Sequence, residues 1–98
     1  MKREKFDNVW LALEPNAADA INLTIRSALM TSVEEAVAAW KLPQGAAAKR
    51  LGITRPRLND LLRGKISKFS LDALTMLATR AGLTVKMSVK KTAMKRAA

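Results

Sequence analysis

Apolar residues recur at steps of three and four along the first half of the chain, which is the spacing of one face of an α-helix. Pro15 marks a boundary before this pattern, and Asn16 or Asp19 can cap the free backbone N–H groups of a helix that begins there. Ser32 and Glu35 have the spacing of a capping box, which would restart the helix at that point. The apolar phase continues through them unbroken and favours one long helix. Its apolar stripe consists of Ile21, Ile25, Ala28, Leu29, Ser32, Val33, Ala36, Val37 and Trp40.

Residues that begin and end helices delimit three shorter segments in the second half of the chain. Proline, threonine and serine stand at the predicted starts, where proline fixes a helical φ and hydroxyl groups cap free N–H groups. Glycine follows each predicted end, where it allows the left-handed backbone of a C-cap. The predicted helices are residues 44–51 between Pro43 and Gly52, 55–63 between Thr54 and Gly64, and 71–80 between Ser70 and Gly82.

Apolar and polar residues alternate one by one after the last of these helices. A period of two is the pattern of a β-strand with one buried face. The sequence therefore predicts a short C-terminal β-strand over residues 83–89. Its buried face consists of Leu83, Val85, Met87 and Val89.

These patterns together predict a mainly all-α domain of four to five helices with a short strand at its end. A chain of 98 residues supplies one domain with one small core. We expect an N-terminal arm over residues 1–15, a folded domain over residues 16–90, and a disordered basic tail over residues 91–98.

The composition argues against an enzyme. With neither Cys nor His, the chain has no disulfide, no thiolate nucleophile, no imidazole base and none of the usual zinc ligand sets. We therefore expect no cofactor and no metal. No apolar run is longer than five residues, the length reached at residues 36–40, whereas a membrane span needs about 20. We expect a soluble cytoplasmic protein that does not associate with membranes.

The net charge of +10 is concentrated in two blocks of the chain. Residues 41–68 contain eight basic residues and one acid, and residues 83–98 contain five basic residues and no acid. Residues 1–40 instead hold six acids and four basic residues. A basic block of this kind is the electrostatic signature of a polyanion partner such as nucleic acid. The alternative is a solvated tail together with a solubilising surface.

The first basic block contains residues at the spacing of a helix-turn-helix. A small residue is needed at Ala48 because the second helix crosses close to it, and Gly52 permits the sharp turn between the helices. Ile53, Leu58 and Leu61 would anchor the second helix to the core. The alternative is an ordinary helical hairpin with a glycine turn.

The second helix of this motif has a polar face that fits the major groove of DNA. At about 100° per residue, Leu58, Leu61 and Leu62 define its buried face, and the polar residues lie opposite. In the groove, Arg pairs with guanine and Asn with adenine, while Asp can accept a hydrogen bond from cytosine. The predicted base-contacting residues are Arg55, Asn59 and Asp60.

Residues at the edges of this helix and in the following loop suit phosphate oxygens better. Arg57 lies on a flank, from which its side chain can reach either a base or the DNA backbone. Asp60 has an alternative role, an intramolecular ion pair with Arg57 or Arg63. Beyond the base-contacting residues, the predicted DNA-binding set is Gln44, Lys49, Thr54, Pro56, Arg57, Arg63, Lys65 and Lys68.

The chain resembles the Xre-like helix-turn-helix proteins of the HigA antitoxin type over residues 6–89. The resemblance rests on RSALM at residues 26–30, GITRPRLNDLLRGK at 52–65, FSLDAL at 69–74 and the strand-like GLTVKM at 82–87. It implies a lambda-repressor-like fold in a small dimeric repressor that binds its own promoter and neutralises a RelE-like ribonuclease toxin. The family usually has Gln in place of Arg55 and an acidic residue near Gly45 or Ala46, so the operator sequence does not carry over from relatives.

The sequence leaves three functions open. The first is a repressor that is also the antitoxin of a type II toxin-antitoxin pair, and the second is a stand-alone or phage-type Xre regulator without a toxin. The third is an interaction module whose charge serves an acidic protein or a membrane surface. The first function implies three partners, which are double-stranded operator DNA at the nucleoid, a second copy of the chain and a RelE-like toxin.

Two further contact surfaces are predicted. A lone strand must pair with another, either residues 6–11 of its own chain or the same segment of a second subunit, and we favour the second subunit. The acidic surplus of residues 1–40 would attract a basic ribonuclease. Apolar residues of the arm would then anchor the toxin, although they can equally pack on this protein's own core. The predicted dimer contacts are Leu83, Val85, Met87 and Val89, and the predicted toxin contacts are Phe6, Val9, Trp10 and Leu13.

Overall fold

A computed structural model describes residues 17–91 of the chain, and this part is helical as predicted. The predicted arm at residues 1–15 and all but the first residue of the predicted tail at residues 91–98 lie outside the described residues. The helices are α1 at Ala17–Trp40, α2 at Gln44–Leu51, α3 at Arg55–Leu62 and α4 at Leu71–Arg80, with a single 3-10 turn at Ile66–Lys68.

Helix α1 is continuous, so the restart considered at Ser32 does not occur. Its buried residues are Met30, Val33 and Val37. The predicted apolar stripe is wrong in its first part, because Ile21 is 40% exposed and no core residue of α1 precedes Leu29. Within the described residues, the hydrogen bonds from α1 to the segment before α4 come from Arg26, more than one turn after Ile21. No helix within residues 17–91 is long and apolar enough to span a membrane.

At the helix-turn-helix segment the predicted end of α2 and start of α3 are confirmed, whereas α3 ends at Leu62, one residue earlier than predicted. The Thr54 hydroxyl accepts a hydrogen bond from the Arg57 backbone N–H at 3.2 Å, which caps α3. Gly52 ends α2 in the left-handed region with a φ of 73°, a backbone conformation that favours glycine. A Cβ at this position would lie 2.8 Å from Nη1 of Arg80, so the end of that side chain would have to move. In the same way, the Ser70 hydroxyl caps α4 by accepting from the Ala73 N–H at 3.0 Å.

The core lies where α1 packs against α4 and α2 packs against α3. Leu58 and Leu61 of α3 are fully buried, as predicted, and each contributes about 1.5–3 kcal/mol by leaving water. Ala48 is also buried, which confirms that the crossing of α2 and α3 needs a small residue. Leu62 is an exception to the predicted buried face, since it is 38% exposed. It is turned about 100° from Leu61 at the last position of α3 and lies at the edge of the core.

The predicted C-terminal strand is not formed, and residues 83–91 have no regular secondary structure. Leu83 packs partly against the core, and its N–H donates to the Ala78 carbonyl at 2.9 Å. The following apolar residues are exposed, with Met87 at 78% and Val89 at 83%. An extended segment becomes a strand only when a neighbour completes its hydrogen-bond ladder, and no other part of residues 17–91 does so.

Candidate nucleic-acid interface

Helix α3 presents an exposed polar face on the side opposite its core contacts. Its exposed residues are Arg55, Pro56, Asn59 and Arg63. On the opposite side, Leu58 is buried in the core. The face is short and rigid because α3 has only eight residues and the Thr54 cap orders its first turn. Its arginine and amide groups are hydrogen-bond donors and acceptors of the kind that read base edges.

The Arg55 side chain lies across the start of α2. A Cβ built on Gly45 would be 3.7 Å from Cδ of Arg55 and 3.9 Å from its Nε. The Arg55 side chain is therefore within van der Waals distance of the start of α2, where Gln44 is exposed. Lys49 is exposed one turn further along α2. The structure thus brings Arg55 of α3 beside the helix that carries Gln44 and Lys49.

Arg57 makes contacts within the protein from its position on the flank of α3. Its guanidinium carbon is 4.1 Å from the centre of the Phe69 ring, and its Nη1 donates to the Lys68 carbonyl at 2.8 Å. A cation over an aromatic face is attracted by about 0.5–1 kcal/mol at an exposed site. These contacts connect α3 to the segment that leads into α4.

Asp60 also faces this segment. Its carboxylate is 3.5 Å from the Lys65 ammonium and 3.7 Å from that of Lys68. The ion pair considered from the sequence, with Arg57 or Arg63, is replaced by these two because the chain turns back after Gly64 and brings the lysines beside Asp60. Exposed pairs of this kind contribute only about 0–1 kcal/mol each to stability. They do place two cations at the end of α3.

Helix α1 contributes to this region through Arg26, a residue that the sequence analysis did not predict. The Arg26 Nη1 donates to the carbonyls of Ile66 at 3.1 Å and Phe69 at 3.3 Å. Its Nε donates to the Asn22 side-chain oxygen at 2.6 Å. One feature of the sequence indicated such a role. Arg26 is four residues before buried Met30, so it is a charged residue on the face of α1 that packs on the core.

The resulting surface is almost purely basic. Asp60 is the only acid between residues 41 and 71, and it is already paired. Within residues 17–91, no group of three or more metal-ligating side chains occurs. The exposed cations of the surface are Lys49, Arg55, Arg63, Lys65 and Lys68.

Comparison with known proteins agrees with this geometry. A family model described as a helix-turn-helix domain matches residues 12–90, which include all four α-helices and nearly all of the segment after them. No curated protein matches the chain.

Proposed function

Because the chain belongs to the helix-turn-helix domain family, we propose that it is a sequence-specific transcriptional repressor that binds operator DNA through α3. The observation that carries this proposal is the exposed polar face of α3 within a surface of exposed cations that has Asp60 as its one acid. Arg55 and Asn59 face outward from a helix whose other side is locked into the core. A helix held in this way can enter the major groove without losing its own packing.

The proposed complex divides the interface into two kinds of contact. Arg55 and Asn59 hydrogen-bond to base edges, which specifies the sequence. Lys65 and Lys68, in the segment after α3, bind phosphates, which positions the protein on the duplex. Gln44, Lys49 and Arg63 border the same face and extend the phosphate contacts.

The repressor is proposed to act as a dimer of residues 16–90. Val85, Met87 and Val89 are exposed, and the backbone of residues 84–89 finds no strand partner within residues 17–91, so a second copy of the same segment would complete the ladder. Two-fold symmetry would then place two copies of α3 about 34 Å apart, which is one turn of DNA. The preferred operator is therefore a palindrome.

Selection from a random pool of duplexes tests the proposed function. The full chain is expected to enrich a palindromic sequence whose half-site centres lie about 10 base pairs apart. Binding to the selected duplex should exceed binding to a scrambled one by about 1,000-fold or more. Equal affinity for every duplex, measured at several salt concentrations, would reduce the protein to a non-specific binder and contradict the proposal.

Asp60→Asn is expected to strengthen binding to a scrambled duplex several-fold. The carboxylate competes with phosphate for Lys65 and Lys68, and the neutral amide removes this competition and one repelling charge. Asp72→Asn removes the same charge from the exposed first turn of α4 and serves as the matched control. If Asp60 instead reads cytosine, Asp60→Asn will lower the preference for the selected duplex, as titrations of both duplexes will reveal.

The protein is further proposed to be the antitoxin of a RelE-like ribonuclease toxin. An acidic surplus in residues 1–40 supports this, since a protein that binds RNA is expected to be basic. The first turns of α1 also expose Ile21 and Leu23, at 40% and 44%, which offers apolar contact area. Further along α1, burial raises the pKa of Glu34, and the charge of Glu35 adds to the shift.

The alternative is a stand-alone or phage-type regulator, and purification from the native locus separates the two. A second small protein is expected to co-purify with the full chain and to be lost when residues 1–14 are deleted, because the proposed anchors Phe6, Val9, Trp10 and Leu13 are removed. DNA binding should persist in the deletion. Ile21→Ser tests the exposed start of α1 separately. If no second protein co-purifies, the stand-alone regulator is favoured. If the variant without residues 1–14 still retains the second protein, the arm is ruled out as the anchor.

A further inference from the structure

The segment between α3 and α4, residues 63–70, brings together charges that repel one another. It contains Arg63, Lys65 and Lys68 and no acid of its own. Like charges held within a few residues favour an extended chain, and only Asp60 opposes this electrostatically. Backbone hydrogen bonds and side chains from outside the segment together hold it in its folded course.

The backbone carbonyls of this segment are the groups that are held. A 3-10 turn of three residues leaves carbonyls without partners at its end. Three carbonyls of the segment accept hydrogen bonds from arginines on two different helices, and one of these, the Ile66 carbonyl, also accepts the Phe69 N–H. Arg57 of α3 binds the Lys68 carbonyl from one side, while Arg26 of α1 binds the Ile66 and Phe69 carbonyls from the other.

Arg26 is itself fixed before it reaches the segment. It is half-buried, and the side-chain oxygen of Asn22, one turn earlier on α1, accepts a hydrogen bond from its Nε at 2.6 Å. The planar guanidinium can then direct Nη1 to two carbonyls that are three residues apart in the sequence. Phe69, the residue at the second carbonyl, is only 1% exposed, so this end of the segment is anchored in the core.

We propose that Arg26 is a positioning residue for DNA binding, which holds the segment between α3 and α4 so that Lys65 and Lys68 meet the phosphates together. The inference rests on the proposed function. Arg26 acts from α1 through the Ile66 and Phe69 carbonyls, and its guanidinium is committed to those carbonyls rather than to DNA. Its role differs from that of the lysines, which would contact the phosphates themselves.

Arg26→Met in the full chain is the principal test. The methionine keeps the apolar stem and removes both carbonyl contacts. Affinity is expected to fall about 10-fold on the selected and scrambled duplexes alike, and the slope of log K against log salt should shrink by about one to two units. Arg50→Met is the charge-matched control, because Arg50 stacks on Trp40 at 4.0 Å and no hydrogen bond or ion pair within residues 17–91 joins it to residues 63–70. It should change affinity little.

A double-mutant cycle distinguishes positioning from mere loss of charge or of stability. In the Lys65→Ala/Lys68→Ala background, Arg26→Met is expected to cost no further affinity, because it acts only through those lysines. Arg26→Lys should restore part of the loss, since an ammonium can still donate to a carbonyl. An undiminished loss in the lysine-free background, or equal effects of Arg26→Met and Arg50→Met, would overturn the proposal.

Amide hydrogen exchange of the free protein separates this inference from the proposed function. The Lys68 and Phe69 N–H groups, which bond within the turn at 3.0 and 3.1 Å, should exchange faster in Arg26→Met than in Arg50→Met. If Arg26→Met does not fold, Asn22→Ala loosens the same arginine while leaving it in place, and it should give the same pattern more weakly. A wild-type chain that binds no duplex would end the proposed function, whereas unchanged exchange would end the assignment of Arg26.

Discussion

Arg55→Ala and Asn59→Ala are each expected to weaken binding to the selected duplex by about 1–3 kcal/mol, while binding to a scrambled duplex changes little. Both side chains are exposed on the outer face of α3, whose inner face is fully buried at Leu58 and Leu61. Removing either one leaves a base edge without its hydrogen-bond partner and disturbs nothing in the core. Specificity should therefore fall before overall affinity does.

Lys65→Ala and Lys68→Ala provide the contrast for this prediction. Each removes a phosphate contact, so each should weaken the selected and scrambled duplexes alike and lower the salt slope by about one unit. Titration of both duplexes at several salt concentrations measures the two effects together. If Arg55 and Asn59 behave like the lysines, the orientation proposed for α3 in the groove is incorrect.

The helices of this protein could be predicted because their signals are local. Thr54 and Ser70 each cap the helix that begins at the next residue, and Gly52 supplies the left-handed backbone that ends α2. The limits of α2 and α4 were correct for this reason. Burial along α1 was less predictable, because the apolar phase continues into turns that the rest of the described domain does not reach, as at Ile21.

The outward face of α3 could be predicted from helical periodicity. The contacts that the residues on its flanks make within the protein could not. Arg57 and Asp60 find their partners twelve or fewer residues away, in a segment whose turn at Ile66–Lys68 was not predicted. Arg26 reaches carbonyls 40 and 43 residues further along the chain. Periodicity and capping rules describe neighbours in sequence, so contacts of this range become visible only with the folded backbone.

The strand over residues 83–89 illustrates a different limit. The alternation of its residues is a sound signal for a pleated segment, but a ladder needs two segments. Within residues 17–91 the chain supplies only one. A second copy of the chain is the partner that we propose, which would explain why residues 17–91 of one chain contain no strand.

Truncation after Thr84 is expected to convert the dimer into a monomer and to lower affinity for the palindromic duplex by about 100-fold or more. Leu83 keeps its core contact in this variant, so the folded helices should persist, while the exposed Val85, Met87 and Val89 are lost. A monomer contacts one half-site at a time and forfeits the high effective concentration of the second α3. Sedimentation and operator titration at equal chain concentration measure the two losses.

Three further variants separate strand pairing from simple loss of charge. Truncation after Lys91 removes residues 92–98, which are nearly the whole basic tail, and should leave the dimer intact. Val85→Glu and Ser88→Glu add the same charge to opposite faces of the segment, because neighbouring strand positions alternate. Only Val85→Glu should dissociate the dimer, since its face is the apolar one that pairing would bury. A dimer that survives truncation after Thr84 would show that its interface lies elsewhere on the helical domain.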